Sequence, residues 1–392
     1  MHTVIINNFN TVAKPGGNLC NLACDYCFYL ENNVPRTACT TMDDATLEAY
    51  IHNTIRSTPS EEVDFCWQGG EPTLCGLAFF EKVVALQQRY GANKTIYNSL
   101  QTNGLLLNDR WAHFLKEHGF LVGLSIDGPP SLHNAWRKTG TGKPSYAKVA
   151  RAIDCLQKQD VPINAMVVVS RQSEAQGGSV YRWLTQTLNL SHIQFIPLVE
   201  PDTAWSVTPE GWGTFLCNAF DEWLIKDVGE VFVQFFDNLL GVWIGQPATL
   251  CTMQPTCGQS LLVEKNGDVY SCDHFVAPEY RLGNVNQDPM LALANSPFQQ
   301  QFGQKKAQLS ARCLACHWRF ACQGGCPKHR IISQGDEAQN YLCVGYLAFF
   351  RHITPYMNVM RKLLLNHQPP ALVMDIVPEI REQARKLTEL GR

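Results

Sequence analysis

CNLACDYCFYLEN, Cys20–Asn32, decides how the rest of the chain is read. Cys20, Cys24 and Cys27 follow the spacing Cys-x3-Cys-x2-Cys, which lets one short loop present three thiolates to a single metal centre. Tyr26, Phe28 and Tyr29, pressed among them, predict a partly enclosed site. A closed sulfur site takes four ligands, so either a fourth lies elsewhere or one position is left open. On an iron–sulfur cubane, three thiolates leave one iron exchangeable, by the logic that separates catalytic from structural zinc.

The 392 residues are 45% hydrophobic and 17% charged, enough for a large core and an additional domain. A formal net charge of −3 without any Lys/Arg run points away from nucleic acid and from anionic membranes. MHTVIINNFNTVAKPGG carries neither the basic nor the apolar region of a signal peptide. No uncharged apolar run reaches the roughly 18 residues of a membrane span. The apolar stretch Tyr341–Leu365, interrupted by Arg351, His352, Pro355 and Arg361, reads as a helix packed on the domain. A cytoplasmic protein is expected.

Sixteen cysteines in a reducing compartment call for metal or catalytic roles rather than a disulfide framework. Cys39, Cys66, Cys75, Cys155 and Cys217 stand singly and are expected to be inert thiols. The other eleven divide into the opening trio and two interleaved groups of four after residue 250.

Up to residue 200 strand and helix alternate. Thr11–Lys14, Val63–Trp67, Lys94–Gly104, Leu121–Gly128, Ile163–Val169 and His192–Leu198 are expected strands. Asp43–Ser57, Phe79–Arg89, Asp109–His118, a stripe from Tyr146 to Leu156, and Val180–Leu188 are expected helices. INAMVVV (Ile163–Val169) is nearly all apolar, as a strand covered on both faces is. The alternation predicts a parallel sheet with right-handed crossovers, curled into a partial barrel with its chemistry on loops at the C-terminal strand ends. The trio, QGGEP (Gln68–Pro72), QTNG (Gln101–Gly104) and SIDGP (Ser125–Pro129) all fall there. Two glycines after a strand let backbone approach a ligand closely, although Gly-Gly-Glu-Pro is equally ordinary turn chemistry. Gln68, Gln101, Asn103 and Asp127 either shape the site or satisfy loop backbone. Later, Asn266-Gly267 is expected to turn a hairpin in SLLVEKNGDVYSC that brings Cys257 and Cys272 together.

With its aromatics, the opening trio resembles the radical S-adenosylmethionine (SAM) superfamily, whose members leave the fourth iron to the methionine part of SAM. The resemblance implies a partial (βα)6 TIM-like barrel. The series Cys251, Cys257, Cys272, then CLACHWRFACQGGC (Cys313–Cys326) and Cys343, resembles the SPASM domain with its two auxiliary [4Fe–4S] clusters. Matched by position, one cluster would take Cys251, Cys257, Cys272 and Cys326, and the other Cys313, Cys316, Cys322 and Cys343. The expected domains are 1–235 for the barrel, 236–365 for the SPASM region and 366–392 for a tail containing a charged helix from Pro378 to Leu390.

Within the superfamily the chain resembles the anaerobic sulfatase-maturating enzymes, through CNLACDYCFY, WQGGEPTL, YNSLQTNG, FLVGLSIDGP, His133–Arg137, IQFIPLVEP, and CDHF followed by RLGN. The resemblance implies oxidation of one Cys or Ser of a sulfatase, in a CxPxR or SxPxR motif, to Cα-formylglycine. Its cofactors would be three [4Fe–4S] clusters and SAM, fed by a low-potential donor such as flavodoxin or ferredoxin. Tyr26, Gly70, Ser125, Arg137 and Val199 would line the SAM pocket, Val199 standing where a leucine is expected. A 5′-deoxyadenosyl radical would take a hydrogen atom from Cβ of the target. Asp273 would then accept a proton while an auxiliary cluster accepts an electron. His274 and His317 are expected beside the clusters rather than as ligands.

Two rivals are a SPASM enzyme forming thioether or carbon–carbon crosslinks in a peptide, and a non-catalytic iron–sulfur or zinc scaffold. The first often carries a peptide-recognition domain ahead of the trio, and only nineteen residues precede Cys20. The open three-cysteine loop on a barrel speaks against the second.

Overall fold

The computed structural model describes residues 9–27, 29, 41–200, 203–334 and 337–390; Phe28 and Cys39 lie outside the described residues. The strands are β1 (Asn10–Lys14), β2 (Glu62–Trp67), β3 (Thr95–Thr102), β4 (Phe120–Ser125), β5 (Ile163–Val169), β6 (His192–Pro197), β7 (Phe232–Val233), β8 (Ser260–Glu264), β9 (Asp268–Tyr270), β10 (Arg281–Asn284), β11 (Ile332–Gln334) and β12 (Glu337–Gln339). Two compact units interleave along the chain. The first comprises Met1–Ile126, His133–Asn164 and Thr256–Lys305, and the second Asp127–Leu132, Ala165–Pro255 and Lys306–Arg392.

In the first unit the sheet runs β10-β9-β8-β1-β2-β3-β4. Strands β1 to β4 are parallel, with Val12 beside Cys66 and Leu100 beside Val122. β8 joins β1 in parallel from 250 residues away, Thr11 beside Leu261. β9 and β10 continue antiparallel. The Asn266-Gly267 hairpin forms as expected, with Gly267 at φ +84° and its N–H donating to Glu264 at 2.8 Å. Helix α1 (Asp44–Ser57) starts where the Asp43 carboxylate accepts from Thr46 N–H at 2.7 Å, and it buries Leu47, Ile51 and Ile55. α2 (Leu77–Tyr90) and α3 (Asp109–Glu117) cover the same core, where the Trp67 ring meets Tyr50 and Phe80 edge to face. α4 (Pro130–Trp136) and α5 (Tyr146–Lys158) complete this part of the alternation.

In the second unit β5, β6 and β7 are parallel, Ala165 beside Ile193 and Ile193 beside Val233. β5 alternates buried and half-buried residues, so it is not sealed on both faces as its composition predicts. Asn164, Met166 and Val168 share the less buried face, and apolarity alone does not say what stands opposite it. α6 (Gly177–Arg182) carries on as a π-turn through Thr187. α7 (Pro209–Lys226) packs on the 23-residue helix Cys343–Leu365, where Gly213 faces Gly345. A Cβ on Gly345 would stand 2.1 Å from the Pro209 carbonyl oxygen, so only glycine permits the approach. Pro355 lies inside that long helix without ending it. The fold is α/β, and the parallel strands are those the expected barrel calls for. Among the described residues no helix is long and apolar enough to cross a membrane.

Candidate active site

Three loops at the C-terminal ends of β1, β2 and β3 are locked together, the first two by backbone and the third through the Glu71 side chain. After β1 the chain turns at Gly17, φ +58°, into the cysteine loop. Gly70 N–H donates to the Gly17 carbonyl at 2.8 Å and Glu71 N–H to that of Leu19 at 2.7 Å. A Cβ on Gly70 would sit 2.2 Å from the Leu19 carbonyl oxygen, so the glycine admits the cysteine loop itself. The Glu71 carboxylate, 1% exposed, accepts from Thr73 N–H and hydroxyl, from the Thr102 hydroxyl at 2.7 Å and from Asn103 N–H at 2.7 Å. It ties the Gly-Gly turn to the QTNG turn.

Cys20 and Cys27 are half-buried and Cys24 is buried, with Cys27 N–H closing a turn on the Cys24 carbonyl at 3.0 Å. Burial raises the Cys20 thiol above its ordinary range, and the nearby charges of Glu71 and Cys27 add to this. Leu22 N–H and Asn103 Nδ2 both donate to Cys20 Sγ, at 3.4 and 3.7 Å. The far side of the loop is strapped to the segment after α4: Leu22 bridges Thr139, and Ala23 N–H donates to Lys138 at 2.7 Å. That strap brings Arg137 over the Tyr26 ring, 5.6 Å from its centroid. Ser125 ends β4 half-buried in the same unit, and Val199 follows β6, buried, in the second.

Asp273 follows β9 in a turn closed by Phe275 N–H on the Cys272 carbonyl at 3.1 Å, and the Cys272 thiol donates to its Oδ1 at 3.2 Å. Burial first, then the charges of Asp273, Glu264 and Cys27, push the Tyr29 phenol well above its ordinary range. Asp273 and the last cysteine of the trio therefore act on one tyrosine. Lys14 lies 4.6 Å from the centre of the Tyr29 ring and pairs with Glu264 at 3.1 Å, 2% exposed. Sequence reasoning misses this pair, in which Lys14 is buried and Glu264 half-buried, because the partners are 250 residues apart. His274 and His317 are exposed. Asp127 accepts from Val168 N–H in β5 at 3.0 Å, which satisfies strand rather than loop backbone, whereas Gln101 reaches Cys66 Sγ at 3.8 Å.

In the second unit four thiols gather. Burial pushes Cys322 up to about 12, and Cys343, Cys313 and Cys316 all add to the rise. Ser310 caps the turn that carries Cys313, and Gly325 N–H closes on the Cys322 carbonyl at 2.9 Å. Cys343 opens the long helix, taking a contact from Gln339 Nε2 at 3.7 Å. Cys257 and Cys272 lie in the first unit, Cys251 and Cys326 in the second. The donor sets of the opening loop and of this quartet are all sulfur, the chemistry that iron–sulfur clusters select. Among the described residues no three His, Cys, Asp or Glu side chains converge on a single ion, whereas a cubane spreads its thiolates over separate irons. The residues fit such clusters. Cys75, Cys155 and Cys217, outside these groups, are pushed up to about 12, 11 and 12 by burial, and Cys66 to about 11, which keeps them as thiols.

Residues 15–184 match the radical SAM superfamily, and residues 251–317 match an iron–sulfur cluster-binding domain, SPASM. The chain is 42% identical over 388 residues to a serine-type anaerobic sulfatase-maturating enzyme of Bacteroides thetaiotaomicron, covering 93% of this chain and 94% of that protein. It is 35% identical over 354 residues to a cysteine-type anaerobic sulfatase-maturating enzyme of Clostridium perfringens, covering 87% and 95%. The solved structure of native anSMEcpe with bound AdoMet and Cp18Cys peptide superposes with a TM-score of 0.85 at 33% identity, over 91% of this chain and 99% of that one.

Proposed function

This chain belongs to the anaerobic sulfatase-maturating enzymes of the radical SAM superfamily, and from that premise we propose that it oxidises a Cys or Ser of a sulfatase polypeptide to Cα-formylglycine. The observation that carries this reading is 42% identity along 94% of a serine-type enzyme, joined to a three-thiol loop locked between the strand ends. Its cofactors are SAM and three [4Fe–4S] clusters. Cys20, Cys24 and Cys27 hold one cluster, Cys251, Cys257, Cys272 and Cys326 a second, and Cys313, Cys316, Cys322 and Cys343 the third. Bound there, SAM and the first cluster would supply the radical chemistry that takes a hydrogen atom from Cβ of the target.

The protein's own residues do the rest. Tyr26, Gly70, Ser125, Arg137 and Val199 line the SAM pocket and fix its orientation. Cys272 as a cluster ligand would be a thiolate and would no longer donate to Asp273 Oδ1, which would leave that carboxylate available as a base. Asp273 would accept the proton lost from the target's hydroxyl or thiol, and an auxiliary cluster, when bound, would take the second electron. Serine gives the aldehyde directly. Cysteine gives a thioaldehyde, which water converts to the aldehyde with release of hydrogen sulfide.

Residues 1–235 form the SAM-binding part, 236–365 the auxiliary-cluster part and 366–392 a tail, a division by chemistry rather than by packing. The enzyme works in the cytoplasm with a low-potential donor such as flavodoxin or ferredoxin. The test is anaerobic incubation of the reconstituted enzyme with SAM, reductant and two peptides, one CxPxR and one SxPxR. The serine-type relative favours turnover of SxPxR, read as loss of two hydrogens by mass. Unchanged mass in both peptides removes the proposal and leaves the crosslinking reading.

A further inference from the structure

Asn103 carries more hydrogen-bonding capacity than its turn needs. Its Oδ1 accepts from Leu105 N–H at 3.0 Å, the usual contact of an asparagine that closes a turn. That contact fixes the amide, because flipping it would set an NH2 against an N–H. Nδ2 then has one orientation, facing Asn21 Oδ1 at 2.7 Å and Cys20 Sγ at 3.7 Å. The residue is 6% exposed, and its own N–H is held by Glu71 Oε2 at 2.7 Å. Glu71 is clamped in turn by Thr73 and Thr102. Aspartate in this place would accept from Leu105 equally well, and would point an anion at the sulfur.

We propose that the Asn103 side-chain amide donates a hydrogen bond to the cluster-ligating sulfur of Cys20 and holds the reduction potential of that cluster up. The inference rests on the reading of Cys20 as a cluster ligand. A neutral thiol is a weak acceptor, but a thiolate on a cluster carries charge that grows when an electron is added. A fixed donor in a water-poor site stabilises the more negative, reduced state, and so raises the potential. Among the described residues Leu22 N–H, a backbone group, is the other donor on the same sulfur, and Asn103 supplies the side-chain donor.

The test is a potentiometric titration of the reconstituted three-cluster enzyme, followed by the EPR signal that changes when SAM is added. Asn103→Leu and Asn103→Ala remove the donor without adding charge. At a fixed applied potential the ratio of reduced to oxidised SAM-responsive cluster should fall about tenfold in both, which is about 59 mV to the negative side for one electron. Iron content and the auxiliary signals should match the parent. A parental midpoint in either variant overturns the proposal. Loss of the SAM-responsive signal in both variants also overturns it, since Asn103 would then be a folding part of the loop. A parent enzyme with no SAM-responsive signal fails earlier, at the reading of the trio itself.

Discussion

The guanidinium of Arg137 lies over the ring of Tyr26, 5.6 Å from its centroid, and the backbone beneath it is held from behind. Ser145 gives its one hydroxyl proton to the Arg137 carbonyl at 2.6 Å, so His133 must donate through Nε2 to Ser145 Oγ at 2.9 Å. A planar cation stacked on a ring is not replaced by an ammonium. Arg137→Lys should therefore weaken SAM binding about tenfold, within the range of a desolvated cation–π contact, with iron content unchanged. Equilibrium dialysis with labelled SAM reads this directly, and parental affinity would remove Arg137 from the SAM pocket.

Asp273→Asn separates radical formation from product formation. Deoxyadenosine should still accumulate with peptide present, while formylglycine falls about 100-fold or more, the lower range for loss of a general base. Chromatography of the nucleoside and mass spectrometry of the peptide in one reaction supply both numbers. Equal losses of the two products would move Asp273 from proton acceptor to a part of the fold.

Cys322 sits among three other thiols, so its loss should cost one whole cluster. Cys322→Ala should lower iron from about twelve to about eight atoms per chain, four per [4Fe–4S] cluster. Iron and sulfide assays check the count, and twelve irons in the variant would break the assigned quartet.

Gly70→Ala pushes a methyl group to 2.2 Å from the Leu19 carbonyl oxygen, and backbone has to give way. An overpacked contact of this kind costs about 1–3 kcal/mol. A lower melting temperature together with poorer loading of the first cluster is expected, visible by calorimetry and iron assay. Normal loading in Gly70→Ala would mean that the two loops do not share one frame.

Asp237, in the helix Gln234–Trp243, is lifted to about 6 by burial alone. The folded chain thus binds this proton more tightly than the unfolded chain, whose aspartate titrates near 3.8. Stability from the group is complete below that lower value and is lost as pH rises through about 6. Asp237→Asn, which mimics the protonated form, should raise the melting temperature of the holoenzyme by about 2 °C or more at pH 8. The gain should persist down to about pH 6 and shrink below it, towards 3.8. A difference that ignores pH would point to packing instead of ionisation.

Local pattern made much of this legible. Leu47, Ile51 and Ile55 marked α1, Asn266-Gly267 marked its hairpin, and the trio marked its loop because thiolate spacing is a short-range property. Long-range pairing was not legible: nothing in Ser260–Glu264 announces that it adds to β1 in parallel. INAMVVV misled because an apolar run fixes preference for burial but not the neighbour that provides it. The Gly-Gly pair was readable as a close approach, but the approaching group turned out to be the Leu19 carbonyl. Lys14 and Glu264, far apart in sequence, declare their pairing only once β8 lies beside β1.

Gly213 and Gly345 let the main chains of two helices meet directly at that point, and the second helix begins at Cys343. Such a seat acts as a mechanical datum: the helix can neither slide nor roll without driving one main chain into the other. The sulfur at its head is therefore held from two residues away by steric contact that is indifferent to charge. With Cys343 as the cluster ligand proposed above, that cluster would change electron count with little change of shape, which is the condition for moving electrons quickly.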